Sequence, residues 1–94
     1  MAEIFQAAEK EKKNPQQLLI KLMEEVGEAS QALLASQNAP GSEYKNFTTA
    51  DVKEELVDTL LVTFALLHKL GTDETELQTL LETKLVKWQA KQDG

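Results

Sequence analysis

The chain has no cysteine and a single histidine. No disulfide, no thiolate metal site and no cysteine nucleophile is available, and a histidine-rich zinc site is excluded as well. A metal held by this chain has to sit mainly on oxygen, which favours Mg²⁺, Mn²⁺ or Ca²⁺. Glycine and proline are scarce, four and two residues, and their positions therefore mark the few places where helices break. Basic charge is in deficit: the net charge of −6 argues against sequence-independent nucleic-acid binding, which needs a basic surface. No apolar run approaches the roughly 18 residues of a membrane span, and the charged start MAEIFQAAEKEKK lacks a signal-peptide layout. A cytoplasmic protein is expected.

What is present divides into four helical segments. Ninety-four residues suit one small domain, residues 1–94, with too little chain to bury a large core alone. Segment one spans Ala2 to Lys13. Asn14 and Pro15 supply an N-cap and a first helical residue for segment two, which runs to Ser36. Residues 37–47, QNAPGSEYKNF, form the one long loop. Thr48 or Thr49 caps segment three, which ends at Leu70 before Gly71. Thr72, Asp73 and Glu74 open segment four, with acids in its first turn, and it continues to about Lys91. No window alternates with period two, so the expected class is all-α, a four-helix bundle.

Segment two carries KLMEEVGEA, residues 21–29, with three carboxylates in little more than one turn. On a wheel of 100° per residue, Leu18, Leu19, Leu22, Val26, Ala29 and Leu33 form an apolar arc. Glu25 and Glu28 lie at its margin beside Lys21 and Ala32, whereas Glu24 projects roughly 70° further toward water. Segment three reads LVDTLLVTFALL from Leu56 to Leu67. A helix apolar nearly all round is covered on most sides, and a monomer this small has little to cover it with, so a partner chain is expected. Asp58 stands inside that run and Glu55 lies three residues before it on the same face. Unpaired buried carboxylates cost several kcal/mol. Two facing i,i+3 pairs, Glu25 with Glu28 and Glu55 with Asp58, give four hard oxygen ligands for a divalent cation. The bland alternative is a set of surface i,i+4 ion pairs such as Lys21–Glu25, worth a few tenths of a kcal/mol. It accounts well for Glu24 and badly for Asp58.

Glu24-Glu25-x-x-Glu28, 26 intervening residues, then Glu55-x-x-Asp58 resembles the EExxE…ExxD signature of the all-α nucleoside triphosphate pyrophosphatases. That group includes MazG-like proteins, dimeric dUTPases and phosphoribosyl-ATP pyrophosphatase. The flanking KLMEEVGEAS and EELVDTLLVTFALLHKLG look MazG-like, and ETKLVKW is similar to the lysine-containing start of that family's last helix. The resemblance covers about residues 15–91. It implies a Mg²⁺-dependent reaction (Mn²⁺ being an alternative ion), (d)NTP + H₂O → (d)NMP + diphosphate, serving to clear unwanted nucleotides. It also implies Glu25, Glu28, Glu55 and Asp58 as metal ligands, and a homodimer or tetramer whose partner chains complete the core. Glu24 matches the first acid of the motif, and its wheel position suits a residue that supports the ligands from behind or orients water rather than a direct ligand. Two rivals stand beside it. Phosphoribosyl-ATP pyrophosphatase shares the acids but not the flanking pattern. A catalytically inactive helical dimerisation module would have little use for a complete acid quartet.

Outside the motif, Lys84 falls in the apolar arc of segment four among Leu77, Leu80, Leu81, Leu85 and Trp88. It either snorkels to water or, as its match to the family lysine implies, meets a phosphate catalytically. Lys87 and Lys91 are read as solvated helix-end lysines, with phosphate contact as the alternative. Lys21 is read as a salt bridge to Glu25 or a phosphate contact. Trp88 is core or a base-stacking surface. His68 and Phe5 are expected in packing. Tyr44, Lys45 and Phe47 lie on the loop between the acidic helices, where lids are often found.

Overall fold

A computed structural model describes residues 2–37 and 48–93. Four α-helices and no strand occur among them: α1 (Ala2–Glu9), α2 (Pro15–Ser36), α3 (Thr49–Lys69) and α4 (Glu74–Asp93). None of these helices is long and apolar enough to cross a membrane. The loop residues Tyr44, Lys45 and Phe47 lie outside the described residues.

Local chemistry sets most of the boundaries. Asn14 accepts the Gln17 N–H at 2.8 Å while Gln17 returns the favour to the Asn14 N–H at 2.9 Å, a reciprocal cap with Pro15 behind it. Thr48 and Asp51 make the same exchange at the start of α3. Its end is a Schellman turn: the Thr72 N–H donates to Leu67 C=O at 3.0 Å and Gly71 N–H to His68 C=O at 2.9 Å, with Gly71 at φ 88°. Segment one stops earlier than its composition predicts, at Glu9 rather than Lys13. Lys10 and Glu11 make only three-residue turn bonds, and the Glu11 carboxylate accepts the Lys13 N–H at 3.0 Å. The following Asn14-Pro15 excludes helical backbone at the residue before proline.

Packing centres on α3, against which both α2 and α1 lie. Ala8, Leu18 and Ala65 form the buried cluster, joined by Val62 and Leu66. Phe5 of α1 meets Phe64 edge-on, with centroids 6.1 Å apart, and also His68 at 6.3 Å. Both residues thus take the packing role expected of them. The face that α2 buries is not its most apolar one. Leu18, Glu25, Ala29, Ala32 and Ala35 are buried, whereas Leu19, Val26 and Leu33 of the predicted arc are exposed. Small alanines let two helix backbones approach closely, and the bulkier leucine side is left facing outward.

The fourth helix has no comparable packing on α1, α2 or α3, and Leu77 alone among its residues is buried. The radius of gyration is 16.1 Å, against about 12 Å for a compact domain of this length. Leu56, Val57, Leu60 and Leu61 of α3 and Leu81, Leu85, Val86 and Trp88 of α4 are all exposed.

Candidate metal centre

Glu25 sits on the α2 stripe that α3 covers, one turn before Ala29, and is 6 % exposed. Glu55 sits on the facing stripe of α3, one turn after buried Val52 and one turn before Thr59, and is half-buried. The Thr59 hydroxyl donates to the Glu55 backbone carbonyl at 2.9 Å, so it makes no use of the Glu55 carboxylate. Glu28 reaches in from the exposed margin of α2. One carboxylate oxygen from each of Glu25, Glu28 and Glu55 falls within 4.8 Å of the others. Two helices meeting along buried stripes therefore carry three acids to one point.

Charge compensation at that point is incomplete. Lys21, one turn before Glu25, holds its Nζ 2.9 Å from Glu25 Oε1. Glu25 Oε2 and Glu55 Oε2 are buried with no hydrogen-bond partner. Buried polar atoms in native proteins are almost always paired, and ionised carboxylates have nothing to donate to each other. Burial raises the Glu55 pKa above its ordinary 4.5; a proton shared with Glu28 and the charges of Glu28, Asp58 and Glu25 push the same way. The Lys21 pKa is raised by its hydrogen bond to Glu25 and then by that residue's charge. The donor set fits a hard divalent cation: oxygen only, crowded, short of positive charge and with buried lone pairs free. Three carboxylates are enough for Mg²⁺, which keeps much of its own water.

The other expected residues distribute as follows. Asp58 is exposed and is not part of the trio, although its charge acts on Glu55. The apolar run around it is uncovered in a single chain, which is why it is not buried as its sequence context predicts. Glu24 is exposed, as its wheel position requires. Lys84, Lys87 and Trp88 line a shallow groove on α4 with Ala90 and Lys91. Lys84 is exposed rather than within an apolar interface, because α4 has no extensive packing on α1, α2 or α3 and buries only Leu77. A groove of about 220 Å³ between α1, α2 and α3, lined by Ile4, Leu18, Leu61 and Val62, opens beside Lys21. Nothing in the residue pattern marks that groove, because it forms only where three helices leave a gap.

No family model, no curated protein and no solved structure matches this chain.

Proposed function

We propose that the chain is a Mg²⁺-dependent nucleoside triphosphate pyrophosphohydrolase of the MazG-like kind, converting a (d)NTP and water to the monophosphate and diphosphate. The observation that carries this reading is the convergence of Glu25, Glu28 and Glu55 within 4.8 Å with two buried oxygens lacking a partner. A protein of net charge −6 repels a triphosphate unless cations stand between them, and this cluster is where cations would stand.

In the reaction, the oxygen of water bonds to the α-phosphorus and gives up a proton to solvent, the bond from that phosphorus to the oxygen bridging it to the β-phosphorus breaks, and that oxygen leaves with diphosphate. Mg²⁺, when bound, supplies a Lewis acid that polarises the phosphate and lowers the pKa of a coordinated water. The protein's share is placement. Glu25 is held by burial, Glu28 and Glu55 close the donor set, and Asp58 adds negative charge one turn along α3. Glu24, at the exposed rim, orients the attacking water. No covalent nucleophile is required, which agrees with a chain that has no cysteine.

The active form is an oligomer of this chain, a dimer or a tetramer. Supporting this are the uncovered leucine faces of α2, α3 and α4 and the extended shape. Packing between chains closes the bundle and gives Lys84, Lys87 and Trp88 a neighbour, with Lys84 then available to the phosphates.

The test is a panel of ribo- and deoxyribonucleoside triphosphates, with phosphoribosyl-ATP included, incubated with Mg²⁺ and with Mn²⁺. Phosphate is read after adding inorganic pyrophosphatase. Turnover that yields monophosphate and diphosphate, and that stops when the cation is chelated, is expected. No hydrolysis of any triphosphate with either ion would overturn the reading.

A further inference from the structure

We propose that Lys21 is the resident counter-ion of the acidic cluster, displaced from Glu25 when a divalent cation enters and then turned toward the anion that arrives with it. This rests on the cation-site reading above and adds to it a residue that sets how tightly bare cation is held.

The geometry leads here directly. Lys21 Nζ is 2.9 Å from Glu25 Oε1, and Glu25 is the most buried acid of the cluster. No other ion pair forms at the cluster among the described residues. This one ammonium pairs with Glu25 and feels the charges of Glu24 and Glu28 as well. A single positive charge leaves such a cluster under-compensated, which agrees with the two oxygens that have no partner. A divalent cation brings twice the charge and several coordination positions, so it outcompetes the ammonium for Glu25.

Lys21 is also built to leave. Its side chain is 41 % exposed, and its stem borders the apolar groove beside Leu18, Leu61 and Val62. A lysine head is one compact charge on a flexible stem, held here by one contact, whereas an arginine fork would bind a carboxylate through two. Release costs no burial, and the stem has an apolar wall to lie along. The freed ammonium stands next to the cation, where an anionic ligand of that cation has to sit.

Mn²⁺ titration calorimetry on the full-length wild type, Lys21→Met and Lys21→Arg tests this, first with Mn²⁺ alone. A second titration adds a non-hydrolysable triphosphate analogue with a methylene between the α- and β-phosphorus. Removing the competing charge should tighten binding of Mn²⁺ alone by about tenfold in Lys21→Met. Lys21→Arg should bind no more tightly than wild type. The extra affinity that the analogue and Mn²⁺ lend each other should fall by about tenfold in Lys21→Met, because the released ammonium is missing. Unchanged or weaker binding of Mn²⁺ alone by Lys21→Met overturns displacement, and undiminished coupling overturns the role toward the anion. If Lys21→Met fails to fold, Lys21→Gln is titrated in its place. Failure of both to fold also overturns the proposal, since a counter-ion indispensable to the fold cannot depart. A wild type that takes up no Mn²⁺ in either titration sinks the cation site itself, a different result from any of these.

Discussion

Glu28 on α2 and Glu55 on α3 are separated by 26 residues yet bring carboxylate oxygens within 4.8 Å of one another. Two carboxylates so close cannot both ionise without penalty unless a cation or a proton stands between them. The raised Glu55 pKa is the protein's response when only a proton is offered. On the proposed reading of this cluster, function and stability are opposed at this point.

Replacing Glu55 by Gln should expose that opposition. The neutral isostere removes the repulsion, so the metal-free variant should melt at a higher temperature than the wild type near neutral pH. The same variant should lose the stabilisation that Mg²⁺ gives the wild type, about 2.7 kcal/mol at a concentration 100 times Kd. Its turnover should fall by at least about 10²-fold. Melting curves with and without Mg²⁺ give both results. A variant that is less stable without metal and equally responsive to it would contradict the proposed site.

The pH dependence has a definite sign. Glu55 has a folded pKa above its ordinary 4.5, so folding favours its protonated form. Its contribution to stability is complete below about 4.5 and is lost as pH rises through the folded value. In the absence of divalent cation, the melting temperature of Glu55→Gln minus that of wild type should widen as pH is raised through that interval. Saturating Mg²⁺ should abolish the widening for wild type by taking the place of the proton. Paired melts across pH 4 to 8 check this.

The uncovered apolar faces predict concentration-dependent assembly. Trp88 is the single tryptophan and is 63 % exposed in one chain, so its emission should shift to shorter wavelength as chains associate. Leu60→Lys places a charge on the open face of α3 and should shift the molar mass, by light scattering, toward monomer. Turnover should be lost with assembly if the bundle is completed between chains.

Two substitutions probe the fold apart from the site. Leu18 is the largest fully buried side chain among the described residues, and Leu18→Ala should cost about 2–5 kcal/mol by urea denaturation. Gly71 has φ 88° and open space where a Cβ would stand. Gly71→Ala should therefore cost about 1–2 kcal/mol through backbone strain alone.

The sequence by itself determined the helices and the identity of the acids. Asn14-Pro15, Thr48 with Asp51, and Gly71 are local signals whose bonds lie within a few residues, so helix limits at α2 and α3 follow from them. Spacing of three put Glu25 with Glu28 on one face of their helix, and spacing of four put Lys21 beside Glu25, where the structure has it. The end of α1 was less legible, because the turn bonds of Lys10 and Glu11 and the fold-back of Glu11 compete with a composition that favours continued helix.

Only the tertiary structure decided which faces meet. A wheel ranks faces by apolarity, but where α2 packs on α3 the buried residues include Ala29, Ala32 and Val52, and Leu19, Val26 and Leu33 are left outside. That rotation is what carries Glu25 and Glu55 under cover and keeps Asp58 at the rim. α4, which carries Lys84 and Trp88, has no comparable packing on the helices that carry the acids. Close approach of two helices is a property of the pair, and no periodicity read along either one contains it.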